Sequence, residues 1–177
     1  MIQVPVDAPS IMRGEIEVAG DATVSYEIRT SDFRETVEQQ AEPDSQNSVQ
    51  ELSGPSAVTG VLTERYGADR YQALGSKGEI WAIDVLAEAI GSPLDVSLAI
   101  INESGVELKR VDDVSGTTDA HIEFRLPADG AYDLVVGDTS GMSGQATSIY
   151  RIVVREAVPG FRLSIPEMLA VPIDGSA

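Results

Sequence analysis

Pro93-Leu94-Asp95-Val96-Ser97-Leu98-Ala99-Ile100-Ile101, followed by Asn102-Glu103-Ser104-Gly105, opens the stretch whose reading decides the fold. The apolar run breaks at the Asn-to-Gly tetrapeptide, resumes over residues 106–110 and passes an acidic loop, Val111-Asp112-Asp113-Val114-Ser115-Gly116. It then alternates through Ile122, Phe124 and Leu126, turns at Pro127-Ala128-Asp129-Gly130, and alternates again through Tyr132, Leu134 and Val136. Apolar residues at period two, bounded by Asn, Asp, Gly and Pro, predict antiparallel strands with one buried face. The block reads as the core of a β-sheet and shows no active site.

Working outward, the same signal predicts strands over 57–63, 69–74 and 79–87 on one side and over 148–155 on the other. In residues 79–87, Trp81, Ile83, Val85 and Ala87 share one face, while Ile80, Ala82 and Leu86 share the other with Asp84. Apolar side chains on both faces predict a central strand covered on two sides, with the single tryptophan in the core. Tyr150, Ile152 and Val154 face inward on the last of these strands, and the glycine-rich 137–147 reads as a flexible loop. Farther out, 14–18 and 23–29 form a hairpin, which is marginal in water on its own. Residues 32–55 read as a linker or extended loop. Ala157-Val158-Pro159-Gly160 is a linker signal and 161–165 one more strand. Helical turns are confined to 35–40 and 64–67.

The chain has 177 residues, 42% of them hydrophobic, enough for one core and against global disorder. With 29 acidic against 12 basic residues its formal charge is -17, which opposes binding to nucleic-acid phosphates or anionic lipid. Cations and basic surfaces are the more compatible partners. The absence of cysteine excludes disulfides and thiol catalysis without choosing a compartment. No span approaches the roughly 20 apolar residues that cross a bilayer, so membrane insertion is not expected. Met1-Ile2-Gln3-Val4-Pro5 lacks the basic and apolar regions of a signal peptide.

Several of these pieces resemble a known family. Leu94-Asp95 before an alternating strand, the turn at 102–105, Asp112-Asp113, and above all Leu126-Pro127-Ala128-Asp129-Gly130-Ala131-Tyr132 are similar to the bacterial pre-peptidase C-terminal domain. Ala68-Asp69-Arg70-Tyr71 resembles its aspartate-and-aromatic strand, Tyr150-Arg151-Ile152-Val153-Val154 its closing strand, and Glu42-Pro43-Asp44-Ser45 its opening motif. The resemblance spans 38–155. It implies an all-β, antiparallel jelly-roll-like β-sandwich without catalysis, accompanying secreted or cell-surface proteins, with any export signal outside this chain. The partition that follows is a 1–33 hairpin, a 34–56 acidic linker, a 57–156 sandwich, and a 157–177 linker leading to a following domain. The hairpin is either an accessory or, since Val4-Pro5-Val6-Asp7-Ala8-Pro9 also resembles such an ending, the tail of an immunoglobulin-like domain. The implied partners are neighbouring domains of the same polypeptide and an extracellular polymer such as polysaccharide or fibrous protein.

Calcium is the one cofactor the resemblance implies. Collagen-binding relatives hold it through the opening motif and the aspartates before the aromatic strand, which by position points to Glu42, Asp44 and Asp69. The departures weaken the set: Asp44 stands where Asn is usual, Ser45 where Asp is usual, and Gly67 offers no side chain. The same residues also read as a solvated acidic linker. Asp112, Asp113 and Asp119 form a second candidate cluster that could wrap a hard cation with oxygens or simply shape a turn. The only histidine, His121, lies on the outward side of its strand, and no Gly-x-Ser-x-Gly elbow accompanies it. The 137–144 loop lacks a Gly-Lys-Ser/Thr ending, and Asn102-Glu103-Ser104, although a glycosylation acceptor, reads as a turn.

Overall fold

A computed structural model of the chain describes residues 11–18, 22–29, 33–39, 49–114 and 116–158. Two five-stranded sheets pack face to face. The first has the order β10-β7-β12-β5-β3 and the second β4-β6-β11-β8-β9. The strands are β3 (Arg34–Val37), β4 (Gln50–Leu52), β5 (Ser56–Val61), β6 (Ala68–Gly75), β7 (Ile80–Leu86), β8 (Val96–Asn102), β9 (Glu107–Val111), β10 (Ala120–Arg125), β11 (Gly130–Asp138) and β12 (Ile149–Glu156). Most connections cross from one sheet to the other, so neighbours in sequence face each other across the core.

Alternation fills that core. Tyr71 and Ala73 of β6, Trp81, Ile83 and Val85 of β7, Leu98 and Ile100 of β8, and Tyr132, Leu134 and Val136 of β11 all point inward. Each fully buried aliphatic or aromatic side chain contributes roughly 1.5–3 kcal/mol of transfer free energy. Trp81 and Tyr132 meet edge to face, with ring centroids 5.6 Å apart and planes at 76°, as the ring quadrupoles prefer. The Tyr132 hydroxyl donates to the Ala128 carbonyl at 2.7 Å, tying the Pro-Ala-Asp-Gly turn to the strand that follows it. Gly60 lies opposite Tyr150, and any Cβ there would collide with the tyrosine ring.

Two features differ from the sequence reading. Residues 34–37 and 50–52, read as linker, are edge strands: β3 pairs in parallel with β5, and β4 in parallel with β6. The sandwich is antiparallel elsewhere. Also, β7 is central in its sheet, between β10 and β12, but only its inner face is sealed by a second layer. On its outer face Ala82 is covered while Ile80, Asp84 and Leu86 stay partly exposed. Alternating large and small apolar residues there sit among charged side chains, which mimics a doubly covered strand in sequence.

Upstream, β1 (Ile11–Val18) and β2 (Ala22–Arg29) pair with each other over their whole length and with neither large sheet. Gly14 sits opposite Tyr26, whose ring covers it. The further strand expected at 161–165 and the following domain lie outside the described residues. No helix among the described residues is long and apolar enough to cross a membrane.

Candidate functional site

At one end of the sandwich the apolar interior gives way to a polar cluster contributed by both sheets. Inward alternation on β6 delivers Asp69 and Tyr71, β12 delivers Tyr150, and the residue after β3, Glu38, points in from the edge. The Glu38 backbone N–H continues the β3–β5 ladder to the Thr59 carbonyl at 2.9 Å, and its carboxyl accepts from the Val61 N–H at 3.0 Å. Tyr150 donates to Asp69 Oδ2 at 2.7 Å, and its hydroxyl also meets that of Tyr71. Glu38 and Asp69 are hydrogen-bonded carboxyls.

Burial sets the electrostatics of this cluster. Desolvation raises the affinity of both carboxyls for protons, partly offset at Asp69 by the Tyr150 and Glu38 hydrogen bonds. Glu38 is raised further by the neighbouring Asp69 charge and by donating to it, against the lowering effect of Val61. Burial likewise pushes both tyrosine hydroxyls far above their ordinary range, so they remain protonated donors. The arrangement gathers two carboxyls of raised proton affinity and two tyrosine hydroxyls at one end of the apolar interior.

The sequence-derived metal residues divide around this site. Asp69 is in it; Glu42 and Asp44 lie outside the described residues. Asp112, Asp113 and Asp119 are not brought together. Asp112 closes a tight turn through the Asp113 N–H at 3.0 Å. Asp119 is buried and accepts from the backbone N–H groups of Ala87 at 2.7 Å and Ala89 at 3.3 Å, holding the 3-10 turn at Glu88–Ile90. Among the described residues no group of three or more His, Asp or Glu side chains gathers as a metal site. Glu38 escaped sequence reading because one glutamate among many carries no sign of burial; its inward register depends on β3, which is too short to register as alternation.

His121 sits on the outer face of the first sheet, as its outward register predicts. Its Nδ1 lies 2.6 Å from Asp84 Oδ1, and Arg155 donates to the other Asp84 oxygen at 2.8 Å. His121 and Asp84 are directly opposed across the β10–β7 ladder. The group is a hydrogen-bonded row of polar side chains along a half-exposed sheet face. The segment 137–147, expected to be a flexible loop, is organised by buried Asp138, which accepts from the Ser140 hydroxyl at 2.6 Å and the Ser143 N–H at 3.0 Å.

No protein-family model matches the chain, and no curated protein does. Among solved structures it is similar to PliG, a periplasmic inhibitor of g-type lysozyme. The Aeromonas hydrophila protein is 14% identical, with a TM-score of 0.43 over 71% of this chain and 97% of that one. The Salmonella Typhimurium protein is 16% identical, with a TM-score of 0.42 over 63% and 100%. It is similar, too, to the pre-peptidase C-terminal domain of collagenase from Bacillus anthracis, at 16% identity and a TM-score of 0.47 over 60% of this chain and 94% of that one. The family that the Pro-Ala-Asp-Gly-x-Tyr turn resembles is thus represented among the structures this chain is similar to.

Proposed function

We propose that this chain is a non-catalytic accessory module of a secreted or cell-surface multidomain protein, spacing or presenting its neighbours. The observation that carries this reading is where the polar side chains of the sandwich are spent. Asp119 holds the 88–90 turn, Asp138 the 138–143 loop, Tyr132 the 127–130 turn and Asn102 the 102–106 turn, each through backbone groups. Hydrogen bonds of this kind brace a frame, whereas an enzyme site directs its polar groups at a substrate. The test is a panel of ester, peptide and glycoside substrates run with the wild-type chain and His121→Ala. No turnover above background is expected from either, and turnover that the substitution abolishes would overturn the reading.

A second reading is a calcium-stabilised module that binds polysaccharide or fibrous protein, and the Glu38–Asp69 pair favours it. Two neighbouring carboxyls supply one side of a hard-cation site; Ca²⁺ takes six to eight oxygens, so Glu42 and Asp44 would have to contribute others. Thermal melts across a calcium series test it. Mass action gives about 2.7 kcal/mol of stabilisation at 100-fold excess over Kd, and a melting temperature indifferent to calcium removes the reading. Pull-down on insoluble collagen, chitin and cellulose tests the ligand separately.

A further inference from the structure

β3 and β4 are each the last strand of a sheet, and together they border one open side of the sandwich. Their parallel pairing fixes which side chains turn inward. Arg34 and Thr36 lie opposite Ser56 and Val58 of β5, and Gln50 and Leu52 lie opposite Tyr71 and Ala73 of β6. Because Val58, Tyr71 and Ala73 belong to the core, all four edge residues are on the inner faces. Between them lies a cleft of about 380 Å³, which Ser53 and Ser56 also line.

The polar groups of this cleft, unlike those that brace the turns, are uncommitted. Ser56 is 5% exposed, and its hydroxyl is buried without a hydrogen-bond partner among the described residues. A buried hydroxyl left unpaired costs stability, and such a cost without a structural return marks a place kept for function. Arg34, directly opposite Ser56, makes no ion pair or hydrogen bond among the described residues. The acids that follow it are engaged elsewhere: Glu35 pairs with Arg151 on the outer face, and Glu38 accepts from the Val61 N–H at 3.0 Å. Gln50 accepts the Gln39 N–H on Oε1 at 2.8 Å, which leaves its Nε2 hydrogens to donate. Glu51, the one acid lining the cleft, registers with Gln72 on the outer face of the second sheet.

A guanidinium, a carboxamide N–H pair and a hydroxyl form a set of donors, and the arginine fork matches the two oxygens of a carboxylate. The formal charge of -17 disfavours polyanions, so the matching ligand carries one such group. We propose that the β3–β4 cleft binds a single carboxylate, seated on Arg34 and accepting hydrogen bonds from the Ser56 hydroxyl and Gln50 Nε2. Its source is a small free acid or the C-terminus of a peptide, to which the unpaired flanks of β3 and β4 offer main-chain groups.

The full chain, labelled with ¹⁵N and held in a metal chelator so that calcium plays no part, is titrated with three probes. They are acetate, a pool of N-acetylated tripeptides with free C-termini, and the same pool amidated. Saturable shifts are expected at the Ser56 amide, Arg34 Nε–H and Gln50 Nε2 with the free acids and not with the amides. Saturation by acetate as readily as by peptide assigns a small acid, and saturation by peptide alone assigns a chain end. Arg34→Gln should abolish the shifts. Ser56→Ala should weaken binding about tenfold, the loss of one hydrogen bond to a charged group, without lowering the melting temperature. No shift with any probe, equal shifts with the amidated pool, or binding that survives Arg34→Gln overturns the proposal. A lower melting temperature for Ser56→Ala gives that hydroxyl to the frame and overturns it as well.

Discussion

Tyr150 and Tyr71 both read in sequence as inward-facing aromatics of a strand, yet their hydroxyls carry different burdens. The Tyr150 oxygen serves both Asp69 and Tyr71; among the described residues the Tyr71 oxygen is bound only to Tyr150. Tyr150→Phe leaves a buried carboxyl and a buried phenol short of a partner, a loss of about 1–3 kcal/mol. Tyr71→Phe removes one contact from a hydroxyl that keeps its bond to Asp69, and is expected to cost less. Urea unfolding of the two variants checks the order, which fails if Tyr71→Phe is the more damaging. Asp138 gives a second test at this scale. Burial alone would raise its pKa, but hydrogen bonds from Ser140 and Ser143 overcome this and hold it at about 2, below its ordinary 3.8. A depressed carboxyl stabilises the fold above its unfolded value and loses that contribution as pH falls through the folded one. Asp138 therefore contributes about 2 kcal/mol at neutral pH, lost between pH 3.8 and about 2. Asp138→Asn should lower stability at pH 7 while flattening the acid limb of the stability curve; a limb as steep as wild type would show that other carboxyls govern it.

At the scale of elements, legibility followed the number of alternations a strand could show. β8, β10, β11 and β12 each display three or more inward apolar residues in sequence, and each formed where period two placed it. β3 and β4 run for four and three residues; only Leu52 among them is a buried apolar side chain, so composition made them linker. Their pairing is parallel with strands that follow far along the chain, and no local turn signal announces it. The 88–90 turn was invisible for a related reason: the side chain that holds it, Asp119, lies about thirty residues away in sequence. Asp119→Ala removes an acceptor serving two backbone N–H groups, one of them buried, and is expected to cost about 1–2 kcal/mol. Since Glu88 also ties this turn to Thr117 and Thr118, faster amide exchange should appear at Ala87 and Ala89 and extend to Thr118. Loss of stability without that local exchange would mean the carboxylate matters for another reason.

For the molecule as a whole, the sandwich and the β1–β2 hairpin stand in different energetic positions. Nine of the ten strands of the sandwich, all but β3, line or pack against one apolar cluster, so removing any of its central strands exposes residues of both sheets. Among the described residues the hairpin contributes none to that cluster, and Ile16 and Val24, directly paired across it, are each 53% exposed. An isolated pair of strands is marginal in water, and local stability tracks buried apolar contact. Unfolding should therefore occur in two parts, with hairpin amides exchanging far faster than those of β8 or β11. Deleting residues 1–32 is the decisive form of the experiment, because it leaves β3, and with it Glu38, on the edge of the first sheet. The shortened chain is expected to melt within about 2 °C of the full one, since a loss of 1 kcal/mol moves a domain of this size by roughly 2–4 °C. A larger fall would show that the hairpin's exposed face, Ile16 and Val24 included, seats on the sandwich in solution, and would make the hairpin an integral element instead of an appendage.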